Sequence, residues 1–199
     1  VSEVWSLPGY EVQTMLGSGA NGEVWRGREL ATGDTVALER LGEDTDPDSL
    51  EALRRAALLL RDLDTPYVVR LREVVGRVLV LDHAPGGSLA SLLARRGRLS
   101  AGEVVTVAAP LASALASAHA LGVVHGDVRP ASVLFTADGM PLLADLGVAG
   151  VARRLGVTDR TMEYADPAVA AGRDADAAAD VWALAAVCHH LLAGTPPQD

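Results

Sequence analysis

A chain of 199 residues can form one domain with a substantial core, or one domain built as two lobes, and a hydrophobic content of 49% excludes a disordered chain. The formal net charge of -9 excludes a nucleic-acid surface built on a basic stripe, since nothing cationic is left over to neutralise phosphates. The single cysteine, Cys188, has no partner for an internal disulfide, so a reducing compartment is expected.

The opening residues, Val1 to Pro8, carry neither a basic segment nor a long apolar run, so no signal peptide is expected there. Tyr10 to Leu16 alternates as a strand does. Gly17-Ser18-Gly19-Ala20-Asn21-Gly22-Glu23-Val24 follows, a G-x-G-x-x-G-x-V run that leads into a second strand-like stretch and not into a helix. A Gly-rich hairpin between strands is one device for covering phosphates with backbone N–H groups. The bland alternative is an ordinary hairpin. Thr32-Gly33-Asp34 is a turn, and Thr35 to Glu39 reads as a third strand. Alternation puts Ala37 and Glu39 on one face of that strand and Arg40 on the other.

Asp46-Pro47-Asp48-Ser49 signals a helix start. Leu50, Leu53, Ala57 and Leu60 follow at helical spacing, which predicts an amphipathic helix from Leu50 to Leu63. Val68 to Val75 and Arg77 to Leu81 read as two strands joined at Gly76, and Ala84-Pro85-Gly86-Gly87 is a breaker cluster that suits a lobe boundary. Helices are predicted at Ser88 to Arg96 and Ser100 to Leu121, the second opened by a Ser100-x-x-Glu103 capping box. The Ala- and Val-rich stretch Val104 to Val124 is better read as a buried helix than as a membrane span, because Ala adds little hydrophobicity and Pro110, Ser113, Ser117 and His119 interrupt it. Val123 to Phe135, V-V-H-G-D-V-R-P-A-S-V-L-F, sets a carboxylate on a loop between two apolar runs, a placement that suits a general base or a metal edge. Asp138-Gly139 is a hairpin turn, Pro141 to Asp145 a short strand, and Asp180 to Leu192 an apolar helix stopped by Gly194, Pro196 and Pro197. Cys188-His189-His190 is no chelate, because neighbouring helix residues point about 100° apart. Asp174 and Asp176 read as solvated acids ahead of that helix.

In this order the pieces resemble a eukaryotic-type Ser/Thr protein kinase domain of the bacterial kind, from Tyr10 to the end of the chain. The matching motifs are the Gly-rich loop Gly17 to Val24, Val36-Ala37-Leu38-Glu39 for the V-A-x-K strand, His125 to Ser132 for the catalytic loop and Asp145-Leu146-Gly147 for D-F-G. Thr161 to Ala168 stands for the segment ending in A-P-E, and Asp180 to Leu184 for the helix that follows. H-G-D at 125–127 also occurs in small-molecule phosphotransferases, but Thr161 to Tyr164 fits the protein-kinase pattern better. The resemblance implies an α+β, two-lobed fold: residues 1–83 form a small β-rich N-lobe with one main helix, and residues 84–199 a mainly helical C-lobe that is C-terminally incomplete. It implies that Gly17, Gly19 and Gly22 cover phosphates and that Val24, Ala37 and Leu134 hold adenine. It implies Asp127 as base, Arg129 as the neighbouring cation, Asp145 and Ser132 at the metal positions, and Asp180 as the residue that holds the catalytic loop.

Departures from the family pattern shape the functional expectation. The strand Lys that holds the α/β-phosphates is Glu39, and the helix Glu that holds that Lys falls on Ala56. A cation about 4 Å from a phosphate gains about 4 kcal/mol at an effective dielectric of about 20, and a carboxylate there costs a similar amount. Arg129 stands for Lys, Ser132 for the metal-binding Asn, Gly126 for Arg, and Ala168 for Glu. The expectation is therefore a pseudokinase: not an enzyme, no cofactor required, ATP and Mg²⁺ weakly bound or absent. Its partners are expected to be proteins, including an active Ser/Thr kinase that modifies Thr158 or Thr161 near Arg153, Arg154 and Arg160, and a phosphopeptide-binding domain of the FHA type. No nucleic acid and no membrane segment in this fragment are expected. The expected location is the cytoplasm, alone or as the cytoplasmic part of a longer membrane-tethered chain. Two alternatives are an atypical active Ser/Thr kinase whose missing cation is supplied by Arg26, Arg28 or Arg40, and a nucleotide sensor that does not hydrolyse. Arg54 or Arg55 is expected to meet Glu39 in a reversed ion pair.

Overall fold

The structure, a computed structural model, describes residues 5–19, 22–42, 47, 48, 50, 51, 54, 55, 60, 63–146 and 162–197. Its contacts divide the chain into two compact units, with the break in the middle of the chain falling between His83 and Ala84.

The first unit holds a five-stranded antiparallel sheet in the order β1-β2-β3-β5-β4. The strands are β1 Tyr10–Gly19, β2 Gly22–Glu29, β3 Thr35–Leu41, β4 Leu71–Val75 and β5 Val78–Asp82. β3 carries the period-2 pattern of a central strand, with Val36 and Leu38 wholly buried on one face. That face joins Leu7, Tyr10, Trp25, Val78 and Val80 in one cluster, with Trp5 laid against it. Trp5 and Trp25 meet edge to face at 6.3 Å, and the Arg40 guanidinium lies 5.5 Å from the Trp5 ring centre. Arg72 ties the sheet at one edge, reaching Asp82 at 2.6 Å, Glu29 at 3.0 Å and Asp34 at 3.1 Å. Residues 47, 48, 50, 51, 54, 55 and 60 are helical, where the Leu50 to Leu63 helix is predicted, but Leu63 already lies outside it.

The second unit is mainly helical. α1 Leu89–Arg96 is capped by the Ser88 hydroxyl, and α2 Ala101–Ala120 opens with the predicted capping box between Ser100 and Glu103. α2 is long and apolar enough to cross a membrane, yet its stripe of Val104, Val107, Leu111, Ala114, Leu115 and Ala118 is buried, and the helix packs on β7 and on the last described helix. β6 Val133–Phe135 and β7 Pro141–Leu143 form a short hairpin. α3 Pro167–Ala170 is short, and α4 Ala177–Ala193 ends at Gly194 in the left-handed region.

Several boundaries differ from the sequence expectation, β4 starting at Leu71 and not at Val68 among them, and two have identifiable reasons. α4 begins three residues earlier than Asp180, because the Asp176 carboxylate accepts the Ala179 N–H at 2.9 Å and acts as the N-cap. β7 stops at Leu143 because Ala144 turns its N–H onto the Ser132 carbonyl at 2.8 Å, and Asp145 then adopts a positive φ of 58°.

Candidate active site

The loop from Val123 to Ser132 is held from below by α4. Asp180, 1% exposed in the first turn of that helix, accepts the His125 N–H at 2.8 Å and the Gly126 N–H at 2.7 Å. His119 on α2 makes a third bond to the same carboxylate, at 2.8 Å. His125 is fully buried. Its Nδ1 accepts the Asp127 N–H at 3.2 Å, so its Nε2 carries the proton and donates to the Ala144 carbonyl at 2.8 Å. Gly126, at φ 77°, occupies a conformation that a side chain disfavours, which gives the glycine at this position a local reason.

Asp127 and Arg129 form an ion pair at 3.0 Å, each side chain 31% exposed. The base position therefore reaches solvent, and a fixed cation stands beside it. Ser132 is 1% exposed, and its hydroxyl accepts the Arg129 N–H at 3.0 Å while donating to the Arg129 carbonyl at 2.8 Å. Its first task here is to close the loop, which leaves little of the oxygen for a metal. Asp145 keeps an edge exposed to solvent, yet the chain crowded round its carboxyl desolvates it and raises its pKa. The charge of Arg129 opposes that rise. A divalent cation would remove the penalty by giving the carboxylate an opposite charge. Among the described residues no group of three His, Cys, Asp or Glu side chains could hold a metal alone. Mg²⁺ commonly binds through one or two carboxylates plus substrate phosphates, and Asp145 is the carboxylate that would take that part.

In the first unit the register sets Val24 opposite Glu39, Arg26 opposite Ala37, and Glu39 opposite Leu79. Val24, Arg26, Ala37 and Glu39 thus share the face away from the Trp5–Trp25 cluster. Glu39 is 7% exposed there. Arg40 sits on the opposite face, between Trp5 and Glu23, whose carboxylate is 4.0 Å away. The reversed ion pair expected for Glu39 is not formed by Arg54 or Arg55, which lie 3.9 Å and 3.5 Å from Glu51 on their own helix. Gly17 and Gly19 end β1 and Gly22 opens β2. At Gly22 a Cβ would lie 2.0 Å from the Arg40 carbonyl, so only glycine lets the two strands close behind the loop. Leu134 belongs to the second unit, on β6.

Several expectations fall outside the described residues: Ala20 and Asn21 of the Gly-rich loop, Ala56, Gly147, and the threonines at 158 and 161 with their flanking arginines. Two residues that sequence reasoning passes over take part. His119 has no local signature in an Ala-rich helix, since its partner is 61 positions away. His190, no chelating residue by its place beside Cys188 and His189, bonds through Nδ1 to the Tyr164 hydroxyl at 2.6 Å with the rings stacked. Burial raises the Tyr164 pKa and lowers that of His190, so both stay neutral near pH 7. The pair floors an open groove lined also by Leu93, Arg129, Pro130 and Glu163, which brings the groove up to the Asp127–Arg129 pair.

Comparison with known proteins gives these features a family. The family described as the protein kinase domain matches residues 10–199. Serine/threonine-protein kinase PkaA of Streptomyces coelicolor is 36% identical over 215 residues, covering 94% of this chain and 39% of PkaA. PkaB of the same organism is 36% identical over 207 residues, covering 94% of this chain and 49% of PkaB. Serine/threonine-protein kinase PknH of Mycobacterium tuberculosis is 34% identical over 208 residues, covering 98% of this chain and 33% of PknH. The chain spans between a third and a half of the length of these relatives. Two expectations are thereby corrected: that the chain is not an enzyme, and that it requires no cofactor, with ATP and Mg²⁺ weak or absent. Its relatives are instead named as Ser/Thr protein kinases, and the reaction of that family moves a phosphoryl group from ATP with Mg²⁺. Glu39 is a departure at one position, whereas Asp127, Arg129 and Asp145, the residues at three other motif positions, lie together around the second-unit loop. From the match over residues 10–199, the chain belongs to the protein kinase family.

Proposed function

We propose that the chain is the catalytic domain of a Ser/Thr protein kinase that transfers the γ-phosphoryl of ATP to a protein hydroxyl. Residues 1–83 serve as its N-lobe and 84–199 as its C-lobe. Asp127 accepts the proton of the attacking hydroxyl, and its partial exposure leaves it open to that hydroxyl. Arg129, fixed by its ion pair, supplies positive charge to the transferred group. Bound Mg²⁺ supplies charge neutralisation on the phosphates, and Asp145 is the residue that holds it, with Ser132 in a secondary place. By their places in the motifs, Gly17, Gly19 and Gly22 are the phosphate-covering residues, Val24 and Ala37 the adenine contacts of the first unit, and Leu134 that of the second.

The observation that carries this reading is the loop clamp: Asp180 bonds the two backbone N–H groups just before Asp127, and Arg129 bonds Asp127 itself. Preorganised geometry of this kind is what phosphoryl transfer asks of a protein. The phosphate-side cation comes from Arg129 in this account, not from Arg40, which the opposite sheet face and Trp5 hold away. Incubation of the full chain with labelled ATP and a mixed protein substrate tests it. Label on Ser or Thr that requires Mg²⁺ is expected; no label above a chelated control overturns the reading.

Protein substrates are the partners this reading requires. Control by an upstream kinase acting at Thr158 or Thr161, read by an FHA-type domain, has only the surrounding arginines of the sequence in its support. Phosphosite mapping after incubation with an active Ser/Thr kinase decides it, and modification confined to other positions removes it. Dependence on ATP favours the cytoplasmic side for the domain.

A further inference from the structure

Arg72 sits on the edge strand β4, yet its guanidinium joins four neighbouring strands at one end of the sheet. Its Nε donates to the carboxylate of Asp82, the last residue of β5, at 2.6 Å. Its Nη1 donates to Glu29, the last residue of β2, at 3.0 Å, and to Asp34, just ahead of β3, at 3.1 Å. The Arg72 side chain is 29% exposed, and the Asp82 bond is the chief influence that holds its pKa above the ordinary value. A lone surface ion pair contributes little, but one planar fork held by three carboxylates from separate strand ends is a network of fixed geometry. Without the cation, three like charges would face one another and push those strand ends apart.

The strand end that Arg72 grips lies beside a residue proposed above to meet adenine. In the β3–β5 register Asp82 is opposite Val36, and Leu81 is opposite Ala37. One strand spacing, about 4.8 Å, separates such partners. The Asp82 side chain lies on the Val36 face, so Arg72 holds the end of β5 from the face opposite Ala37. The Asp82 amide donates to the Arg70 carbonyl at 2.9 Å, and the chain leaves the first unit one residue later, after His83. The ladder of β5 ends at Asp82, so the side-chain hold acts where strand pairing stops.

We propose that Arg72 is a positioning residue for the nucleotide: through Asp82, with Glu29 and Asp34 as its other holds, it fixes the end of β5 beside Ala37 and so the surface that meets adenine. The nucleotide consequence rests on the kinase reading above; the fixing of the strand end does not.

The test uses the full chain and compares Arg72→Met, which keeps the apolar stem and loses the fork, with Arg72→Lys, which keeps a point charge. Asp82→Asn is a second, milder variant that leaves Arg72 on Glu29 and Asp34. Tyr10→Phe removes the Tyr10–Glu73 bond from the same sheet without touching Asp82, and controls for general loosening. Arg72→Met is expected to weaken Mg·ATP binding by about five- to tenfold, a share of the worth of a charge-assisted hydrogen bond. Arg72→Lys recovers part of that loss, Asp82→Asn weakens binding in the same direction, and Tyr10→Phe binds as wild type does. The KM for protein substrate stays within about twofold in all four. Without nucleotide, hydrogen exchange at the Leu81 and Asp82 amides rises in Arg72→Met and in Asp82→Asn. ATP affinity within about twofold of wild type in both variants overturns the proposal. So does a loss that Tyr10→Phe shares equally, or exchange equal to wild type. A wild-type chain that binds no ATP overturns the kinase reading, and the exchange then still decides whether Arg72 holds the strand end.

Discussion

Asp180 concentrates more of the site in one side chain than any other described residue. Replacing it by Asn turns an acceptor of three bonds into a group that presents N–H donors to other donors. Breaking a buried charged contact in this way costs about 3–5 kcal/mol. Urea unfolding should show the midpoint of Asp180→Asn displaced accordingly, and a midpoint equal to wild type would remove the clamp from the account. Glu39 is the residue whose sign runs against the family pattern. It shares a sheet face with Val24 and Ala37, the proposed adenine roof, so its charge stands on the nucleotide side. Removing that charge in Glu39→Gln should lower the KM for ATP by about three- to tenfold, allowing for screening and side-chain rotation. A KM that stays level or rises would show that the carboxylate faces its own partners and not the nucleotide.

At the scale of elements, the helix starts carry measurable terms. Ser100 and Glu103 bond reciprocally at the start of α2, and Arg96 adds an ion pair to Glu103. The Arg96 bond first, then the Ser100 bonds, pull the Glu103 pKa down to about 2 from an ordinary 4.5. A carboxylate whose folded pKa is depressed stabilises fully above its unfolded value and loses that stabilisation as pH falls. The thermal midpoint should therefore fall as pH drops from about 4.5 to about 2, and Glu103→Gln should flatten that part of the profile. Ser100→Ala should cost about 1 kcal/mol, the usual worth of such a cap. In the sheet, Tyr10 donates to Glu73 at 2.5 Å, and burial followed by that carboxylate raises the phenol to about 12. A raised folded pKa stabilises below pH 10 and is lost as pH climbs toward 12. Tyr10→Phe should abolish this alkaline sensitivity in thermal scans.

Elements also show what the residues disclose by themselves. The S-x-x-E box, the Gly-Asp turn of β2–β3 and the alternation of β3 are local patterns, and all three are legible in the amino-acid sequence. Asp176 is local too, yet its sequence suggests a solvated acid, because the Ala-rich run after it hides where the helix begins. His119 and His190 have no legible role in the sequence. Each acts on a partner 61 or 26 positions away, and helical periodicity says nothing about which distant side chain a polar residue will meet. Ser132 shows the reverse: its place in a motif suggests a ligand alone, whereas packing has also given its hydroxyl the task of closing the loop. The expectation of an inactive scaffold has the same origin, because single departures are easy to see in a sequence and an assembled loop is not.

For the molecule as a whole, the ordered set of motifs and the family match over residues 10–199 make a kinase fold, and Asp127, Arg129 and Asp145, the residues proposed for proton transfer and metal binding, lie in the second unit. The net charge of -9 suits a partner other than nucleic acid, in keeping with protein substrates. The most direct measurement is the single-turnover rate of phosphate transfer from Mg·ATP to a protein substrate, wild type against Asp127→Asn. General-base loss of this kind predicts a fall of about 10²- to 10⁴-fold with the fold intact. Equal rates in the two proteins, or no transfer by either, would contradict the account.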